Sequence, residues 1–498
     1  MSKIRVTYSG LISFGVRISS VLTGLIFTLI IGRELSVLEF GTWGLINSIM
    51  IYALILSPIV NYWITREIAR GENSSKTGLL MSTAFSGLGS VIFLVSSFFI
   101  MNETNVDNYI IWISIILVPV AFINNSLSAI SAGFRPEITS YASFGFEISK
   151  IIIAILLVYY LQTGLEGAII SVIISYFVSI VISVIFSFKK LVTELKFVYI
   201  KKWFKLSWIP TYRSLPSFFA MSDVIVFSVL TGSVTGVAYF TSARTISYIV
   251  NNIRGLNIGL YSKLLETENH SFLEQNLIKF FYLGLPLTAF SIIFAKPALF
   301  AINPEYMIGF IVAMVLSVRM FIKSLNQMFF EVLLGLEKTD KNSQSTFKDY
   351  LKSNLFWIPT FDLIRHVTYI AILAVIVFLF RENTNQLIDL VLIWSIIGLI
   401  TEIPLLVFTL NKTKKSVNYK IKKNLLVKYM IITIVVFGIT SIIMEEFLEY
   451  ENNIFKFLPN LVMYAISSII FYILVTYVLD KPTRILINTI LKELKNIG

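Results

Sequence analysis

The chain has 498 residues, a mean hydropathy of +0.80, 14% charged residues and a formal net charge of +12. That charged share is well below the ~25% of a soluble domain, and long apolar runs recur from end to end, so a soluble multi-domain protein is excluded. The runs are continuous rather than alternating, which excludes an outer-membrane barrel. With no cysteine and only His270 and His366, disulfides, thiolate metal sites and histidine-rich metal centres are excluded as well.

The pattern predicts an all-α polytopic membrane protein. A span needs about 20 mostly apolar residues. Fourteen stretches qualify, near residues 8–31, 39–64, 78–101, 109–131, 143–161, 167–188, 208–230, 236–257, 277–295, 308–335, 355–380, 387–410, 429–444 and 454–479. The first opens like a signal peptide, but its apolar stretch is too long and no small-residue cleavage site follows, so it reads as a retained span. The seventh is unusual. Its head, WIPTYRSLPSFF, carries Pro210 and Pro216 with Arg213 between them. Proline in a helix interior removes a hydrogen bond and kinks the helix. The stretch therefore predicts a bent span with backbone opened towards a polar space. The thirteenth is the shortest of the fourteen.

The connections alternate in charge. With the N-terminus inside, the cytoplasmic segments hold 28 Lys and Arg and the outer loops three, Arg33, Lys296 and Arg381. The outer loop EEFLEYENN has none. The basic excess is thus an orientation signal that puts both termini in the cytoplasm, and nucleic acid is not an expected partner.

Two internal matches point to a repeat. Arg17 precedes Gly41 of EFGTWG by 24 residues, and Arg213 precedes Val237 of TGVAYF by the same distance. FEISK (Phe146 to Lys150) opens the fifth span and FDLIR (Phe361 to Arg365) the eleventh; the fourth and tenth end in SAGFRP and LLGLEK. Spans 1–6 and 7–12 read as parallel copies, an arrangement that places a substrate site near the midplane between the halves. The expected organisation is a first six-span half at 1–188, a basic linker at 189–207, a second half at 208–410, a basic loop at 411–428, and two appended spans with a tail at 429–498.

Charges inside the spans rarely face lipid. Nine basic residues fall there, against six acids: Glu147, Asp223, Glu331, Asp362, Asp389 and Glu402. Glu147–Lys150 and Asp362–Arg365 are spaced to share a helix face; they read as self-neutralising pairs, with ion coupling as the alternative, and Asp223 is a further candidate for either role. Lys279, Arg254 and Glu331 lie near helix ends, where they could reach the surface. His366 reads as a satisfied buried histidine. Arg17, Arg213, Arg244 and Arg319 have no acid within four residues on their own helices. They are expected either to line a cationic cavity for an anion, where the planar guanidinium fork suits phosphate, or to pair with acids on other helices. No G-x-x-x-x-G-K-[ST], no H-E-x-x-H and no catalytic constellation occurs. An enzyme is therefore not expected, and no cofactor is implied.

The order of motifs resembles a known family. LEFGTWGLINS follows the first span and ITREIARGE the second; TGVAYFTSARTIS opens the eighth; NPEYM precedes the tenth and LLGLEK closes it. Over essentially the whole chain this is similar to the polysaccharide flippases of the multidrug/oligosaccharidyl-lipid/polysaccharide exporter superfamily. The resemblance implies two six-helix halves in a V around a cationic central cavity lined by spans 1, 2, 7 and 8, with two C-terminal helices appended. It places Arg17 on span 1, Arg213 and Asp223 on span 7 and Arg244 on span 8. It implies alternating access without ATP hydrolysis. The cargo would be a polyprenyl-phosphate- or diphosphate-linked oligosaccharide moved to the outer leaflet of the cell membrane. Membrane lipids, and glycosyltransferases or a polymerase of the same pathway, would be partners. One departure stands out: where many members carry an Asp-Leu-Gly-like turn late in the second span, this chain reads PIVNYWI, with the neutral Asn61. The competing functions are a multidrug or cation antiporter, which would favour an acidic cavity, and a polysaccharide polymerase, which would favour a long outer loop with catalytic acids.

Overall fold

The computed structural model describes residues 6–104, 107–192, 194–205, 207–257, 271–336, 347–382, 387–417, 419, 423–480 and 483–484. All regular elements among them are helical. In hydrocarbon each backbone amide and carbonyl must be paired within its own segment, and a helix does this.

The helices are α1 (Val6–Glu34), α2 (Val37–Ala53), α3 (Ser57–Ala69), α4 (Ser75–Thr104), α5 (Asn108–Ser114), α6 (Leu117–Phe134), α7 (Glu137–Ala154), α8 (Gly164–Leu191), α9 (Phe197–Lys205), α10 (Trp208–Ala220), α11 (Ser222–Thr231) and α12 (Thr235–Asn251). Then come α13 (Ser271–Ile293), α14 (Ala295–Ile302), α15 (Phe310–Gly335), α16 (Phe347–Lys352), α17 (Asn354–Phe380), α18 (Leu387–Ser416), α19 (Lys423–Phe447) and α20 (Ile454–Leu479). Eleven candidate spans among the described residues are long and apolar enough to cross a membrane, and the bent pair α2–α3 makes twelve. The chain is a multi-pass membrane protein. The two other expected spans fall on α1, whose side chains up to residue 15 lie outside the description, and on the 17-residue α12, which runs on into a 3-10 turn at Asn252–Asn257. The thirteenth span is longer than its hydropathy indicates, because α19 continues through polar ends at Lys423, Lys428, Glu445 and Glu446.

The chain forms two compact units, one of residues 1–241 and 362–391, the other of 242–361 and 392–498. In the first unit, span 2 is broken: α2 and α3 meet at 60°. Ser36 caps α2 through a capping box with Glu39, whose carboxylate Oε2 accepts from the Ser36 amide at 2.9 Å while Oε1 accepts from the Leu165 amide at 3.2 Å. The span 1–2 turn is thereby tied to the head of α8. Gly89 lies against the Ala53 carbonyl at the break, where a Cβ would come within 2.6 Å of that oxygen. Ser171, Ser175, Ser179, Ser183 and Ser187 form a buried stripe along α8 at four-residue spacing. Two of them reach α6, Ser179 donating to Asn124 at 2.7 Å and Ser187 paired with Ser131 at 3.1 Å; small hydroxyl residues let membrane helices approach closely.

The two repeated turn motifs touch within this unit. Gly41 packs against the Val234 carbonyl, and Gly44 against Thr241 and Val237, leaving no room for a Cβ at either glycine.

In the second unit the appended helices are fixed by aromatic residues. Tyr282 of α13, Tyr429 of α19 and Tyr472 of α20 cluster with ring centroids 5.3 and 5.7 Å from that of Tyr282, and Tyr472 donates to the Tyr282 carbonyl at 2.9 Å. Below them Asp480, 2% exposed, accepts from Tyr429 (3.0 Å), Lys428 (3.2 Å) and the Thr483 amide and hydroxyl (3.0 and 2.8 Å). Burial alone would raise its pKa, but these donors outweigh it and hold the carboxyl below its ordinary value.

Candidate functional site

Arg17 lies on α1 and Arg213 on α10, but both side chains are outside the described residues. Arg244 and Arg319 are described, and their settings differ.

Arg244 belongs to a polar stripe on α12. Arg244, Thr245, Tyr248 and Asn251 share one face and are half-buried or exposed; Ala243, Ile246, Ser247 and Val250 on the other face are buried. The guanidinium lies over the Tyr248 ring, 5.3 Å from its centroid, and donates to the Tyr248 hydroxyl at 2.9 Å. A span that buries its apolar face and leaves an arginine, a threonine, a tyrosine and an asparagine uncovered cannot turn that stripe to lipid without a penalty of ~2.5 kcal/mol or more for the arginine. A polar stripe of this kind favours protein or a water-filled cavity over lipid.

Arg319 of α15 is 7% exposed, and its Nε stands 3.8 Å from Oε1 of Glu402, itself 1% exposed, on α18. The guanidinium packs flat on Gly398, where a Cβ would overlap it. Of the two sequence expectations for this arginine, the structure shows pairing with an acid on another helix.

Asp223 sits where span 7 breaks. Pro216 is inside α10, the helix stops at Met221, and α11 starts at Ser222. At the break the Phe218 carbonyl accepts from the Met221 amide at 3.2 Å and from the Tyr52 hydroxyl at 3.1 Å, and Tyr52 also bonds the Ser222 hydroxyl. Asp223 is 3% exposed in the first turn of α11, where the helix dipole favours an anion. Its Oδ2 accepts from the Tyr369 hydroxyl at 2.8 Å and its Oδ1 from the Val224 amide at 2.9 Å. Among the described residues its partners are thus a hydroxyl and an amide, not a cation.

The two i, i+3 pairs both form. Lys150 Nζ is 2.8 Å from Glu147 Oε2, which also accepts from Thr23 at 3.0 Å, and the ammonium lies 5.0 Å from the Phe27 ring centre. Arg365 reaches Asp362 Oδ1 through Nη2 at 2.9 Å and Nε at 3.2 Å. His366 is buried and satisfied, with Nδ1 2.8 Å from the Asp362 carbonyl. His270 lies outside the described residues.

Sequence reasoning missed Tyr52 and Tyr369, because a tyrosine in an apolar span carries no signal of its hydroxyl partner. It also placed ITREIARGE, which contains Arg66, after the second span. The residue sits on α3 instead, exposed and stacked over Tyr62 at 5.3 Å from the ring centre. The i, i+4 spacing of Tyr62 and Arg66 was the available clue.

The fold is similar to that of solved membrane transporters. The lipid II flippase MurJ in an inward closed conformation is similar over 94% of this chain and 99% of its own, with TM-score 0.61 and 14% identity. An inward-facing multidrug resistance MATE family transporter of the MOP superfamily is similar over 81% of this chain and 98% of its own, at TM-score 0.60 and 14% identity. A mutant of the Vibrio cholerae MATE transporter VcmN covers 82% and 98%, at TM-score 0.53 and 11% identity. No protein-family profile and no curated protein sequence matches the chain. At these identities the likeness establishes the fold.

Proposed function

We propose that the protein is a flippase that moves a polyprenyl-phosphate- or diphosphate-linked oligosaccharide from the cytoplasmic to the outer leaflet by alternating access, for cell-surface polysaccharide or glycoprotein assembly. The observation that carries this reading is the uncovered Arg244 stripe of α12. A phosphorylated head needs positive charge, and a guanidinium held against a tyrosine presents its N–H fork in a fixed plane. Tyr248, 41% exposed, adds an aromatic edge beside it for a sugar. Arg17 and Arg213 are the further cations of this reading. Arg319, neutralised by Glu402, acts on it only through the packing of α15 against α18.

The moving parts are the two six-span halves, 1–188 and 208–410, joined by the linker 189–207. With basic loops inside, both termini are cytoplasmic, and a single cysteine at Glu449 reacts with an impermeant maleimide in intact cells while one at Lys415 does not. Coverage also favours a lipid-flippase reading: the MurJ match extends over 94% of the chain against 81% for the MATE match, a difference about the size of the two appended spans. A second reading, a cation-coupled antiporter, rests on one observation, the buried Asp223 with neutral partners.

Thermal unfolding of the detergent-purified protein separates the two. A polyprenyl-diphosphate sugar at about 100 times its dissociation constant stabilises the fold by ~2.7 kcal/mol, and Arg244→Ala abolishes the gain. A shift with a cationic drug and none with the lipid supports the antiporter instead.

A further inference from the structure

The linker between the halves is a helix with two unlike faces. On one, Tyr199 (9% exposed) and Trp203 (0%) key into a core with Val60, Trp63, Ile64 and Met81. Tyr199 donates to Glu72 at 2.6 Å and the Lys196 amide donates to Thr77 at 3.0 Å, so α9 is locked to the α3–α4 turn. Burial and the Glu72 carboxylate push the Tyr199 phenol up to about 12, so it stays a donor.

The other face carries Phe197, Val198 and Phe204 with Lys201 among them, and none of the described residues covers it. Phe197 is 70% exposed, Val198 76% and Phe204 53%, and the strip continues through Val192 at 70% and Phe188 at 61%. Exposed Lys189, Lys196 and Lys201 fringe it, Lys190 stands beside them, and Lys202 and Lys205 add to the charge of the segment, against the single acid Glu194. The helix cannot stray from the bilayer boundary: α8 ends at Leu191, six residues before it, and α10 starts at Trp208, three residues after it. A bulk-water setting leaves a contiguous apolar patch exposed, which soluble surfaces rarely do. A helix that is apolar outwards and rimmed with lysines is suited to the headgroup layer.

We propose that α9 and its flanks form an interfacial docking surface for anionic phospholipids of the cytoplasmic leaflet. The apolar side chains enter the acyl boundary, and the lysines contact the phosphates. Because the inner face is keyed into the first unit, this surface anchors that unit to the inner leaflet.

The chain has no native cysteine, so Val198→Cys gives one labelling site for an environment-sensitive fluorophore. The labelled full-length protein is reconstituted into phosphatidylcholine vesicles with and without one-third phosphatidylglycerol. The expected result is blue-shifted emission, quenched by nitroxide carried near the lipid headgroup, and more strongly so with phosphatidylglycerol. Lys189→Gln, Lys196→Gln and Lys201→Gln together remove the phosphatidylglycerol effect, each lysine weighing about fivefold on the docked population; high salt weakens it. Replacing Lys412, Lys414 and Lys415 by Gln leaves it intact. Equal quenching in both vesicles overturns the proposal. So does blue emission that nitroxide lipids do not quench, which means a protein partner or a second copy covers the face. Thermal unfolding of each variant confirms that it is folded, and none of the lysines belongs to the proposed transport site.

Discussion

Arg244 and Arg319 look alike in the sequence: each is an arginine with no acid within four residues on its own helix. Both lie in the same compact unit, yet one is half-exposed in a polar stripe with Tyr248, and the other is sealed against Glu402 over Gly398. The contrast shows that an intramembrane arginine is a question rather than a site. What decides its role is whether the acid that could neutralise it comes from another helix. Sealed against Glu402, Arg319 holds helices together; half-exposed in a polar stripe, Arg244 is the residue the proposed function assigns to the anion.

The largest expected effect follows from the sealed pair. Arg319→Ala takes a counter-charge from the buried Glu402 carboxylate, which costs up to about 3–5 kcal/mol. Arg244, half-exposed rather than sealed, has less buried contact to lose, so Arg244→Ala costs less stability. Unfolding temperatures of the two variants, measured side by side, break the comparison if they fall equally. Replacing Arg319 and Glu402 together by apolar residues of similar volume recovers most of the loss.

Gly398→Ala sharpens the point. Its Cβ overlaps the Arg319 guanidinium, so the pair must shift, at a cost of about 1–3 kcal/mol for overpacking. The same substitution at Gly438, which has open space around it, is neutral or slightly stabilising. Parallel thermal unfolding of the two alanine variants checks this.

Tyr369→Phe removes the hydroxyl that serves Asp223 and leaves a buried acceptor short of a donor, for about 1–3 kcal/mol. Asp223→Asn keeps the geometry without the charge. If the carboxylate is structural, both variants transport once folded. If it couples an ion, Asp223→Asn alone loses the ion dependence of transport.

The smallest effect is on acid stability. The Asp480 carboxyl is held below its ordinary value, so its donors stabilise the fold above the unfolded pKa of about 3.9 and that contribution fades as the pH drops through the lower folded value. Asp480→Asn therefore unfolds more easily than the parent at neutral pH, and the gap closes below pH ~4. A constant gap across that range would place the effect in packing rather than charge.

Much of this was legible in the sequence. Hydropathy located twelve of the fourteen expected spans that qualify among the described residues, in their order, and the two acid–base pairs followed from i, i+3 spacing on one helix. The prolines of WIPTYRSLPSFF forecast the broken seventh span, although the break falls at Met221, beyond the second proline. What was not legible depends on contacts between distant segments. Glu402 is 83 residues from Arg319, and Tyr369 is 146 from Asp223. Neither partnership leaves a local pattern, because one residue per helix turn suffices to make it. The two faces of α9 were hidden for the opposite reason: large apolar residues stand on both, Tyr199 and Trp203 on one and Phe197, Val198 and Phe204 beside Lys201 on the other, so apolar residues alone could not tell the face that meets protein from the face left open.

The most direct test of the central claim is flipping of a labelled polyprenyl-diphosphate oligosaccharide by proteoliposomes carrying Arg244→Ala, with the unfolding temperature read on the same preparation. Losing the guanidinium removes charge-assisted hydrogen bonds of about 1.5–3 kcal/mol, so flipping falls roughly 10- to 100-fold while the protein stays folded. A folded Arg244→Ala protein that flips the lipid at the parent rate would contradict the assignment of the α12 stripe to the transported anion.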